Sequence, residues 1–146
     1  MPTFPEPARI GAAILAASLA ACTTTSPNQR DDAARAQFEQ YAGPPIGSFT
    51  YLGRYYGWRS LGRDTLVIWT TVNDAYLITV LDPCIKLPFA NGIGLTSTAH
   101  TVDRNFDWVL LGRAPSTLDR CHIDTIRKVD YLRMKRELHA GPAGPP

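Results

Sequence analysis

The residues that could do chemistry are few and scattered. His122 and Asp124 stand two apart in Cys121-His122-Ile123-Asp124. On an extended chain both project from one face, where they could hold a metal ion or share a proton as an acid–base pair. No third ligand sits nearby in sequence, and a surface histidine beside an aspartate is commonplace. Asp107 is the other carboxylate that could join His122, in a site assembled from distant residues. Asp103 and Asp107, four apart, could bind a cation or end a turn. Ser48, Ser60, Ser97 and Ser116 lack a Gly-x-Ser-x-Gly setting, so a serine nucleophile of that kind is not indicated. Tyr51, Tyr55, Tyr56, Trp58 and Trp69 could line an aromatic groove or serve core and rim packing.

The cysteines carry more information. Arg9 precedes an apolar run, Ile10 to Ala21, about 12 residues long, which suits an export signal and is too short to span about 30 Å of hydrocarbon as a helix. The run ends in Leu19-Ala20-Ala21-Cys22. That tetrapeptide resembles the lipobox of bacterial lipoproteins: an aliphatic residue, two small residues that fit a peptidase cleft, and a thiol able to form a thioether to diacylglycerol. Cleavage before Cys22 frees an amino group for a further acyl chain. One chain binds a membrane marginally, and two or three hold it stably. The expected anchor is covalent lipid on Cys22, with no other cofactor. The expected location is the bacterial envelope, on the outer membrane because Thr23 rather than Asp follows the cysteine, facing the periplasm.

With Cys22 lipidated in an oxidising compartment, Cys84 and Cys121 remain as a pair, and a disulfide between them is expected. The alternatives are weak: two distant cysteines do not make a zinc site, no Cys-x-x-Cys is present, and Cys121-His122 lacks the second cysteine of a haem-attachment motif.

The elements that must position these residues follow from patterning. The chain has 146 residues, 45% of them hydrophobic, with a net charge of +2. That suits one modest domain with a real core, and gives no case for nucleic-acid binding. Arg127, Lys128, Arg133, Lys135 and Arg136 cluster late, diluted by Asp124, Asp130 and Glu137. They read as a solvated face, or as weakly attracted to anionic headgroups. Residues 1–21 form the leader and 22–45 a lipidated tether with a short helix. That helix is capped by Asp31 and Asp32, with Ala33, Ala34, Phe38 and Tyr41 on one face and Gly43-Pro44-Pro45 as its stop. Residues 46–134 form a small β-rich domain, and 135–146 a flexible tail.

Within the domain, Leu66 to Val72 and Tyr76 to Leu81 read as a hairpin. If Asn73-Asp74 is its two-residue turn, Thr71 faces Tyr76, Trp69 faces Ile78 and Val67 faces Val80. Both faces are mostly apolar, so the hairpin should be covered on both sides. An earlier strand is expected through Phe49 to Tyr56, a helical turn at Cys84 to Pro88, short strands at Ile93 to Thr96 and around Trp108, a loop from Pro115, and a last strand near Val129 to Arg133. The resulting fold class is α+β and mainly antiparallel β: a small curled sheet, barrel or sandwich with one or two short helices and one disulfide.

Gly57-Trp58, Ala75-Tyr76-Leu77, Cys84-Ile85-Lys86-Leu87, Ile93-Gly94-Leu95-Thr96, Phe106-Asp107-Trp108-Val109 and Cys121 to Ile126 occur in an order and spacing that resemble a family of small proteobacterial lipoproteins or secreted proteins, built on a domain of unknown function numbered 6491. The resemblance covers roughly Ile46 to Tyr131. It implies the disulfide and a small mixed fold, and no catalytic residue. The expected function is therefore a membrane-anchored envelope module, non-enzymatic, that binds a protein, lipid or glycan partner or serves as an accessory subunit. The alternative is an enzyme with a site around Asp107 and His122.

Overall fold

The computed structural model describes residues 26–81, 83–112 and 119–141. The leader, Cys22, the first tether residues, the loop from Pro115 and the end of the tail lie outside them. The chain runs as helix α1 (Pro27–Tyr41), strands β1 (Ala42–Ile46), β2 (Ser48–Thr50), β3 (Gly57–Ser60), β4 (Thr65–Trp69), β5 (Ala75–Val80), a 3₁₀ turn (Leu87–Phe89), β6 (Ile93–Leu95), β7 (Thr101–Asp103), β8 (Trp108–Leu111), β9 (Asp119–Val129) and helix α2 (Tyr131–Ala140). Seven strands form one curled antiparallel sheet in the order β3-β4-β5-β9-β8-β6, with β1 on β9, and β2 pairs with β7 as a separate ribbon. The fold is thus α+β and mainly antiparallel, as the patterning implied.

The sheet has a core on each face, because β4 and β5 are apolar on both. On one side Leu66, Ile68, Ile78, Val80, Ile123 and Ile126 pack with Phe49 and Val102 of the ribbon. On the other, Val67, Ala75, Leu77 and Val129 pack with Phe38 and Tyr41 of α1 and Met134 of α2.

The expected two-residue turn does not form. Trp69 pairs with Ala75, Val67 with Leu77 and Leu66 with Ile78. Thr71 closes a longer loop instead: its hydroxyl oxygen accepts from the amides of Asn73 and Asp74, and the hydroxyl donates to the Asp74 carboxylate at 2.9 Å. The register moves by an odd number of residues, which exchanges the face each side chain occupies relative to its partner strand.

Of the strand expected through Phe49 to Tyr56, only Phe49 and Thr50 are strand, at the end of β2; the chain then crosses to β3 in the other sheet. Gly53, at φ 76°, turns the chain between them, a conformation that suits glycine. Helix α1 begins earlier than the Asp31-Asp32 caps suggest. Ser26 and Gln29 form a capping box at Pro27, and Pro27 to Arg30 are helical rather than tether. The Gly43-Pro44-Pro45 stretch lies in β1, where bulging frees the Ala42 and Gly43 carbonyls to accept from the Arg127 guanidinium at 2.9 and 2.7 Å. Pro44 and Pro45 are tolerated because β1 is an edge strand.

Val129 to Arg133 is not a strand. β9 ends at Val129, and Asp130 caps α2 by accepting from the Arg133 amide at 3.0 Å. The segment expected as a tail is helical through Ala140.

Candidate binding groove

β9 is the residue-level frame of the candidate site. Its C-terminal half lies between β5 and β1, and its N-terminal half pairs with β8. A bulge separates the pairs Thr79–Thr125 and Val80–Ile123, leaving Asp124 as the extra residue. The bulge lets Ile123 and Ile126, three apart, face the same core.

Beyond Val80 the chain leaves the sheet and folds over the start of β9. The Leu81 amide donates to the His122 carbonyl at 3.0 Å and the Cys84 amide to the Arg63 carbonyl at 2.6 Å. Cys84 and Cys121 form the disulfide, their Cα atoms 6.0 Å apart. Opposite His122 in the ladder sits Trp108, the two rings edge to face at 4.6 Å. His122 donates through Nε2 to the Asn105 carbonyl at 2.9 Å, and its Nδ1 is buried with no hydrogen-bond partner among the described residues.

These groups line a groove of about 650 Å³, walled by Leu81, Ile85, Trp108 and His122 with the disulfide along it. A second hollow of about 830 Å³, lined by Phe89, Asn91 and Leu111, adjoins it, and Lys86 and Asp119 border both. Lys86 and Asp119 pair at 2.8 Å. Both side chains are exposed, so the pair contributes little stability. The groove walls are unusually apolar for a surface: Leu81 is 59% and Ile85 65% exposed. Leu81 carries one sequence signal, extending the apolar run of β5 a residue past its last pair, whereas Ile85 lies beyond the Asp82-Pro83 break and carries none.

The candidate catalytic residues do not assemble. Asp107 is buried, and both its oxygens are taken: Oδ1 accepts from the Thr96 hydroxyl at 2.6 Å and Oδ2 from the Asp103 amide at 2.7 Å. His122 bonds Asn105 instead. Asp124 is exposed on the bulge. No hydrogen bond joins His122 to Asp107 or Asp124 among the described residues, and no group of three or more potential metal ligands occurs among them. Asp103 accepts from the Asn105 amide and shapes a turn.

The aromatic residues serve packing. Tyr51 is buried, Tyr55 and Trp58 lean on the first core, and Trp69 on the second, with only Tyr56 well exposed. The basic cluster is mostly engaged: Lys128 with Asp74, Arg133 with Glu137, and Lys135 with Asn73 and the Tyr131 ring. Among the described residues no helix is long and apolar enough to cross a membrane.

Fold and groove together define a small disulfide-closed half-barrel with helices on one face. Its family is the one whose model matches residues 7–141, described as a family of unknown function (DUF6491), and the chain belongs to it. No curated protein and no solved structure matches the chain.

Proposed function

We propose that the protein is an envelope lipoprotein, held on the outer membrane by lipid on Cys22, whose domain is a non-enzymatic binding or accessory module. It takes a protein, lipid or glycan partner in the groove beside the Cys84–Cys121 disulfide. The observation that carries this reading is the groove itself: solvent-facing Leu81, Ile85 and Trp108 around a concave, disulfide-stiffened floor. Exposed apolar side chains gathered at a concavity favour a partner that covers them. Two facts support the address. A disulfide is the form expected of thiols outside the cytoplasm. The family match starts at residue 7, so the apolar run and Cys22 lie within the matched span.

The test has two arms. Cells fed a labelled fatty acid should yield labelled parent protein and unlabelled Cys22→Ser, with the variant leaving the membrane fraction. Photo-cross-linking from position 108 in intact cells should recover a discrete partner that an Ile85→Asp variant loses. Equal labelling and fractionation of parent and Cys22→Ser would refute the anchor, and no partner from position 108 would refute the groove.

A further inference from the structure

We infer that the end of the domain carrying Phe89, with the Leu81 and Ile85 rim of the groove, rests on the bilayer that holds the anchor, so that the domain has a fixed orientation and the groove opens toward Trp108 along the membrane surface. This rests on the lipidation of Cys22 proposed above. Only Thr23 to Ser26 separate Cys22 from the first helical residue, Pro27. Fully extended, that link spans at most roughly 18 Å, so the start of α1 stays close to the lipid. The first turns of α1 lie beside the 3₁₀ turn: Asn28, Asp31 and Asp32 line one hollow with Pro88 and Phe89.

The same end gathers exposed apolar side chains. Phe89 is 80% exposed, and Ile85 and Leu81 are close behind. They are held together there because the Val80 and Cys84 amides donate to the carbonyls of Asp64 and Arg63, at the base of the hairpin. The opposite end of α1 meets the other end of the hairpin, where Tyr41 and Asn73 line a common hollow. The chain that leaves the lipid therefore enters the fold beside its apolar knuckle. Among the described residues that line the hollows at this end, acidic and basic groups are evenly matched, with Asp31, Asp32, Asp64 and Asp119 against Arg35, Arg63, Lys86 and Arg120. The contact is thus one of apolar side chains with the headgroup–acyl boundary, and anionic lipid is not required.

The test uses the full-length chain, processed and lipidated in cells, purified and reconstituted in phosphatidylcholine vesicles. A photoreactive benzoylphenylalanine replaces Phe89 in one sample and Val72, at the far end of the hairpin, in another. Both positions are exposed, so neither change disturbs the core. The expected result is phospholipid adducts at position 89 and none above background at position 72. Acylation of Cys22 is scored by mass in the same samples. Acylated protein without lipid adducts at 89, with equal adducts at both positions, or with only protein–protein adducts at 89 overturns the orientation alone. Unacylated Cys22 overturns the anchor and the orientation together.

Discussion

Thr96 and Asp107 are locked side chain to side chain across the β6–β8 pair: the hydroxyl donates to the buried carboxylate at 2.6 Å and its oxygen accepts from the Trp108 amide at 2.8 Å. The other Asp107 oxygen takes the Asp103 amide. Asp107→Ala strands these donors, each at a cost of about 1–3 kcal/mol. Urea unfolding should show a loss of that order, with Asp107→Asn losing less. An Asp107→Ala domain as stable as the parent would show that the knot does not hold β6 to β8.

Ala99 and His100 form the two-residue turn before β7, with φ of 49° and 61°. The amides and carbonyls of Thr98 and Thr101 close it. Side-chain-bearing residues other than Asn and Asp are disfavoured there by about 1–2 kcal/mol each. Replacing the pair with Asn-Gly, the residues such turns prefer, should raise stability by roughly 1 kcal/mol or more. A lowered melting temperature would mean that the native side chains hold the turn by contacts of their own.

The disulfide closes a loop with a sequence separation of 37. On the chain-entropy model its loss costs roughly 4 kcal/mol. A melt of the domain with and without reductant should therefore differ by several degrees, and Cys84→Ser with Cys121→Ser should match the reduced parent. Alkylation of native protein should find neither thiol free.

Asp74 has its pKa lowered from the ordinary 3.8, first by the Thr71 hydroxyl and then by Lys128. A depressed carboxylate stabilises the fold above its unfolded value and loses that contribution as pH falls through the lower folded value. The side chain is partly solvated, so the contribution is a few tenths of a kcal/mol. The gap in melting temperature between parent and Asp74→Asn should be widest near neutrality and should shrink below roughly pH 4. A gap that grows with acid would contradict the assignment.

Met134 is buried against Phe38 and Val129, so α2 is part of the core. Met134→Ala should cost about 2–5 kcal/mol, whereas Arg136→Ala, on an exposed position of the same helix, should be nearly neutral. Equal effects would mean that α2 does not dock.

Segments with strong β character were legible in the sequence: Leu66 to Trp69 and Tyr76 to Val80 are strands with both faces covered, and the Cys84–Cys121 bond is formed. What escaped is set by single side chains that act on the backbone. Thr71 lengthens the hairpin loop and changes its register. The Asp124 bulge shifts the phase of β9, so its apolar residues match neither a simple strand nor a helix. Two caps were readable but outweighed by neighbours: Ser26 with Gln29 lost to Asp31-Asp32, and Asp130 lost to the β-branched Val129 before it. The groove was not legible because its walls come from three separate stretches, Leu81 to Lys86, Trp108 and Asp119 to His122, that the disulfide, the Leu81–His122 backbone bond and the β8–β9 pairing bring together.

β9 walls both cores: Ile123 and Ile126 belong to one and Val129 to the other. Neither core can be lost while the strand that it shares with its neighbour stays in place. The molecule should therefore melt as one cooperative unit despite its small separate cores, and the amides of Ile123 to Val129 should be the last to exchange with heavy water.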